Sequence, residues 1–127
     1  MGLAKLVRSK PPLPPGAERR RFERFELLAQ VELRMRGEVV VLPIVNISAG
    51  GILLRIDRDL AGVGVDEQVS VFLDITDMPE PIMLTMDATV VRVIVGETST
   101  SIALMWTSTS GDAVGKLAKL LDHLRDA

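Results

Sequence analysis

The sequence predicts an all-β domain with one C-terminal helix: six short strands in a small antiparallel barrel. Apolar residues alternate with polar ones in several short runs between Leu27 and Thr107, the period of half-buried strands. Glycine, proline and acidic residues separate the runs at turn-like spacing. The period lengthens to that of a helix only near the end of the chain. At 127 residues, 47% of them apolar, the chain has the size of one domain with a genuine core.

Residues 1–17 read as a flexible tail and linker, because Pro11-Pro12-Leu13-Pro14-Pro15-Gly16 disfavours helix and favours extended polyproline geometry. The folded domain is expected over 18–127, with order beginning near Phe22. In the first strand Val31, Leu33 and Met35 alternate against Glu32, Arg34 and Arg36, and Gly37-Glu38 is the expected turn. Val39 to Val45 forms the second strand. Pro43 inside it implies a sheet edge or a bulge, since proline cannot donate to the ladder. After a polar turn at Asn46, Ile52 to Ile56 makes the third strand, and 57–66 is a loop.

Val69, Val71 and Leu73 mark the fourth strand, and a second loop surrounds Asp77 to Pro81. The run from Ile82 to Val95 is long and β-rich, with Leu84, Met86, Ala88, Val90 and Ile94 on one parity, interrupted only by Arg92. Ser101 to Thr107 returns as the sixth strand. Val114, Leu117, Ala118, Leu121 and Leu124 then keep helical spacing behind a capping-box-like Thr109 and Asp112. Closure of the six strands would remove exposed edges, and the helix would plug one end.

Composition narrows the function. No cysteine is present, so disulfides and thiolate metal sites are excluded. The longest apolar stretch, Val39 to Val45, is far short of a membrane span, the N-terminus lacks a signal peptide's apolar region, and Leu6 stands where a myristoylation motif wants Ser or Thr. A soluble cytoplasmic protein without membrane insertion is expected. The net charge of −2 conceals a division: residues 1–24 carry seven basic side chains against Glu18 and Glu23, a balance of +5, which leaves −7 on the remainder. A basic arm thus precedes an acidic body that would repel a long nucleic acid.

Two signatures carry the functional reading. Arg20-Arg21-Phe22-Glu23-Arg24 is an R-x-x-x-R in the basic arm, and Asn46-Ile47-Ser48-Ala49-Gly50-Gly51 is an N-x-S-x-x-G between two strands. Guanidinium groups stay protonated, donate in pairs to phosphate or to guanine O6 and N7, and stack on a base. The polar turn presents an amide, a hydroxyl and backbone N–H groups together. Either signature alone is common; the two in this order and setting are not. The pairing resembles the PilZ domain family, bacterial receptors for the second messenger cyclic di-GMP, whose fold is a six-stranded barrel of this kind.

The resemblance implies a ligand site made of Arg19, Arg20, Arg24, Asn46, Ser48, Gly50 and Gly51. Arg20 and Arg24 would hold phosphates and stack on guanine, and the Asn46 side-chain oxygen would accept from the guanine N1–H and N2–H edge, where the family also uses Asp. Ser48 would orient the turn or bond the ligand. Gly51 would permit a close approach or a positive φ. In proteins that look like this one, a basic residue at the position of Arg19 accompanies two stacked messenger molecules, so one or two ligands per chain are expected. Arg21 points the other way on an extended arm and reads as a solvated charge. Glu23 could pair with an arginine, at under ~1 kcal/mol for an exposed pair.

No catalytic or metal constellation emerges, and no cofactor is expected besides the messenger as ligand. His123, the lone histidine, reads as a solvent-facing helix residue, and Ser48 has no evident base. Trp106 is expected between barrel and helix, and Met35, Met83, Met86 and Met105 as core filler. The sequence therefore predicts a non-enzymatic receptor and adaptor in which ligand binding orders the arm and engages an unidentified bacterial protein partner; a homodimer is compatible with it. The alternative is a nucleotide-independent interaction scaffold of the same fold. Single-stranded nucleic-acid binding is disfavoured by the acidic body and the lack of clustered aromatics.

Overall fold

The computed structural model describes residues 23–56, 63–76, 78–108 and 110–126. The expected tail and linker (1–17), Arg19, Arg20, Arg21, residues 57–62, Asp77 and Thr109 lie outside the described residues. Six strands form: β1 (Gln30–Met35), β2 (Glu38–Ile47), β3 (Gly51–Ile56), β4 (Gln68–Ile75), β5 (Ile82–Val95) and β6 (Thr100–Trp106). They precede the helix α1 (Gly111–Asp126). All neighbours pair antiparallel, and the ring β1-β2-β3-β6-β5-β4 closes where Val31 meets Leu73 and Leu33 meets Val71. This is the barrel and helix that the alternation predicts.

Inward-facing residues of every strand fill the barrel. Leu33, Leu42, Leu54, Leu73, Val90 and Ile102 are fully buried, and each contributes about 1.5–3 kcal/mol relative to an exposed side chain. Leu117, Leu120 and Leu121 of α1 join the same cluster, so the helix completes the core. The link from β6 to α1 is tied to β5: Thr107 N–H donates to the Asp87 carbonyl at 2.8 Å, and Asp87 N–H donates to Ser108 Oγ at 2.6 Å.

Two register slips redirect side chains. Pro43 sits two residues before a break in the β2–β3 ladder between Ile44 and Asn46, which is the bulge its missing N–H implies. Ile44 and Ile47 are three residues apart yet both buried. Simple alternation would put them on opposite faces; the extra residue restores Ile47 to the core and turns Asn46 outward. A second slip lies between Val90 and Arg92 of β5. Beyond it Val93 is half-buried and Ile94 is 41% exposed, so extending one parity to Ile94 was wrong.

Other expectations shift by a residue. The β1–β2 turn is Arg36-Gly37 (φ 52° and 78°), since Glu38 is already paired with Met35. Two left-handed residues suit the twist of a hairpin, and Arg36 accepts a strain of roughly 1 kcal/mol while its Nη2 donates to Glu67 Oε1 at 2.6 Å. Met35 and Met86 are core residues, whereas Met83 and Met105 face outward because each lies between two inward neighbours. The helix begins at Gly111, behind Ser110, whose carbonyl accepts from Val114 N–H at 3.0 Å. Its buried face is Ala113, Leu117, Leu120 and Leu121, with Val114 and Ala118 exposed. Packing against the barrel has rotated the helix by about one position from the predicted stripe.

Candidate functional site

The bend from Asn46 to Gly51 is fixed by its own hydrogen bonds. Ser48 N–H donates to the Gly51 carbonyl at 2.9 Å, while Ser48 Oγ accepts from Gly50 N–H at 3.1 Å and from Gly51 N–H at 3.2 Å. The hydroxyl donates back to the Gly51 carbonyl at 3.4 Å. The serine is buried, and these bonds shape the bend. Trp106 pins it from below: Nε1–H donates to the Ser48 carbonyl at 3.0 Å and the Trp106 N–H to the Gly50 carbonyl at 3.1 Å. Gly51 is required by close approach. A Cβ there would stand 2.0 Å from the Leu104 carbonyl oxygen, and no positive φ is involved.

The arm runs beside this bend. Phe25 and Ile47 form an isolated antiparallel bridge, with Phe25 N–H donating to the Ile47 carbonyl at 2.8 Å and Ile47 N–H to the Phe25 carbonyl at 2.9 Å. Ile44 N–H then donates to the Ala29 carbonyl at 3.0 Å. Phe25 packs half-buried against the core. Antiparallel register therefore sets Arg24 opposite Ser48 and Glu26 opposite Asn46. Because Phe25 and Ile47 face inward, Arg24 and Asn46 belong to the outer face.

Charge converges on this corner from the other end of the chain. Arg125, in the last turn of α1, has Nη1 donating to Asp122 Oδ1 at 2.8 Å and Nε 3.7 Å from Glu23 Oε1. Its guanidinium carbon lies 5.7 Å from the centroid of the Phe25 ring. A groove of about 520 Å³ runs between α1 and the barrel, with Ala49, Gly50 and Trp106 on one wall and Val114, Ala118 and Arg125 on the other. Trp106 thus lies between barrel and helix as expected. Among the described residues no three His, Cys, Asp or Glu gather as a metal would require, and no helix is long and apolar enough to cross a membrane.

A family model described as PilZ domain matches residues 18–123. The chain belongs to the PilZ domain family. Solved structures agree on the fold of this PilZ domain. It is similar to Bacillus subtilis MotI/DgrA, an inhibitor of motility, at a TM-score of 0.72 and 19% identity, over 85% of this chain and 50% of that one. It is similar to the PilZ domain of Escherichia coli YcgR bound to c-di-GMP at a TM-score of 0.69 and 12% identity, over 85% and 92%. MrkH of K. pneumonia, in its c-di-GMP complex, matches at 0.61 and 25% identity over 80% and 50%. The chain thus spans about half the length of MotI and MrkH. No curated protein matches it in sequence.

Of the residues that the sequence marks, the PilZ fold brings Arg24, Asn46, Ser48, Gly50 and Gly51 to one corner, while Arg19 and Arg20 lie outside the described residues. Phe25, Trp106 and Arg125 were missed as parts of the site. Phe25 gave a faint signal as an apolar residue one step beyond the R-x-x-x-R. Arg125 gave none, because the helix returns it to the arm from about a hundred positions away.

Proposed function

We propose that this PilZ protein is a receptor for cyclic di-GMP that acts without catalysis, and that ligand binding is coupled to its N-terminal arm and through it to a protein partner. The Phe25–Ile47 bridge carries the reading: it seats the end of the R-x-x-x-R segment against the N-x-S-x-x-G bend, so the two signatures serve one ligand. Arg24, joined by Arg20 and Arg19 from the preceding residues, supplies fixed positive charge and guanidinium planes for phosphate and guanine. Asn46, turned outward by the β2 bulge, offers its amide oxygen to the guanine Watson–Crick edge. The bend contributes a close, side-chain-free surface at Gly50 and Gly51. The c-di-GMP complexes of YcgR and MrkH, which share this fold, support the same ligand here.

Seating the residues before Glu23 across the ligand would draw about 2–5 kcal/mol from the gross interaction energy. That rearrangement is the proposed signal, read by a bacterial partner in the cytoplasm. Calorimetric titration with cyclic di-GMP tests the proposal. Binding at one or two ligands per chain is expected, the latter if Arg19 reaches a second stacked molecule. Arg20→Ala, Arg24→Ala and Asn46→Ala should each weaken it roughly tenfold or more while remaining folded. A wild-type chain that gives no heat would overturn the receptor and leave the nucleotide-independent scaffold.

A further inference from the structure

We infer that Arg125 is a positioning residue for this site, holding Glu23 to Phe25 against β2 and neutralising the one carboxylate inside the R-x-x-x-R segment. The inference rests on the cyclic di-GMP reading above. Three contacts define the arginine's place: Asp122 Oδ1 at 2.8 Å, Glu23 Oε1 at 3.7 Å and the Phe25 ring at 5.7 Å. Asp122, one helical turn back, fixes the guanidinium's direction. The guanidinium carbon then lies over the ring of Phe25, the arm residue that exchanges both bridge hydrogen bonds with Ile47, and Nε is turned toward the carboxylate. Arg125 also faces the bend residues Ala49 and Gly50 across the groove.

Glu23 is the reason such a residue is needed. It stands between Arg20 and Arg24, where its negative charge opposes the phosphates that the arginines attract. Arg125 offsets that charge and restricts the arm at the same stroke, so the arm presents Arg24 opposite Ser48 before any ligand arrives. Lysine could supply the charge but not the planar contact with Phe25. The coupling also ties the last turn of α1 to the ligand corner, which joins the two ends of the described chain.

The test uses the full chain at low salt with cyclic di-GMP as titrant. Arg125→Ala should weaken binding roughly three- to tenfold, as exposed ion-pair and cation–π contacts of this kind allow. Adding Glu23→Gln to that variant should recover most of the loss, and Arg125→Lys should fall between. A merely structural role would lower the unfolding midpoint and would not be rescued at Glu23; with Arg125 54% and Glu23 63% exposed, little change in midpoint is expected. In ligand-free protein, the Phe25 amide should exchange faster in Arg125→Ala. Unchanged exchange, or unchanged affinity in a wild type that binds, overturns the inference. A wild type that does not bind overturns the receptor reading instead, and the exchange measurement still judges the clamp.

Discussion

The Asn46–Gly51 bend and the Glu23–Ala29 arm lie side by side, yet they are held by different means. The bend is locked by a buried hydroxyl, two bonds from Trp106 and a backbone approach at Gly51 that admits no side chain. The arm is held by one bridge at Phe25, a carbonyl bond from Ala29, the half-buried packing of Phe25, Leu27 and Ala29 on the core and the exposed contacts of Arg125. Local stability follows the number of buried contacts and protected hydrogen bonds. The bend is therefore the firmer of the two, and in the proposed function it is the template against which the residues before Glu23 would be seated.

The contrast breaks first at the bend. Gly51→Ala should destabilise the protein by roughly 2–3 kcal/mol in chemical denaturation, because Cβ would have to displace the β6 backbone at Leu104. Asn46→Ala should leave that transition nearly unmoved and weaken cyclic di-GMP roughly ten- to a hundredfold, the loss of a paired contact to a base edge. Ser48→Ala separates shaping from contact: removing the acceptor of two N–H groups should lower stability by about 1–2 kcal/mol. If it weakened the ligand as much as Asn46→Ala without a stability loss, Ser48 would be a direct contact. Trp106→Phe, which keeps the ring packing but not the Nε1–H bond, should cost about 0.5–1.5 kcal/mol and speed exchange of the bend amides. The same substitution should leave the Phe25 amide almost unaffected if the two regions are held independently.

Much of this contrast was legible in the sequence and part of it was not. Period-two alternation gave the six strands and the closed barrel, because an inward-facing row is the only way those residues bury their apolar surface. Pro43 implied a sheet edge or a bulge; the closed ring leaves no edge, and the bulge that follows between Ile44 and Asn46 is what turns Asn46 outward. Alternation failed where the β5 register slips between Val90 and Arg92: Arg92, a charge on the inward parity, was the local sign, yet the parity was carried through it and Ile94 was placed on the wrong face. The helix stripe was read one position out because Ala113 and Leu120 on one side of Leu117 and Leu121 compete with Val114 and Ala118 on the other, and the barrel chooses between the faces. Ser48 was given two roles by its motif, and its hydrogen bonds to Gly50 and Gly51 are those of the shaping one. The Trp106 and Arg125 contacts depend on tertiary return of distant segments, which no spacing encodes.

The central claim is that one ligand touches both the arm and the bend. Titrating isotope-labelled protein with cyclic di-GMP and following backbone amides by NMR tests it most directly. The account predicts that Arg24, Asn46 and Gly50 shift together and saturate at the same ligand concentration. Shifts confined to one of the two segments, or saturation at clearly different concentrations, would contradict it.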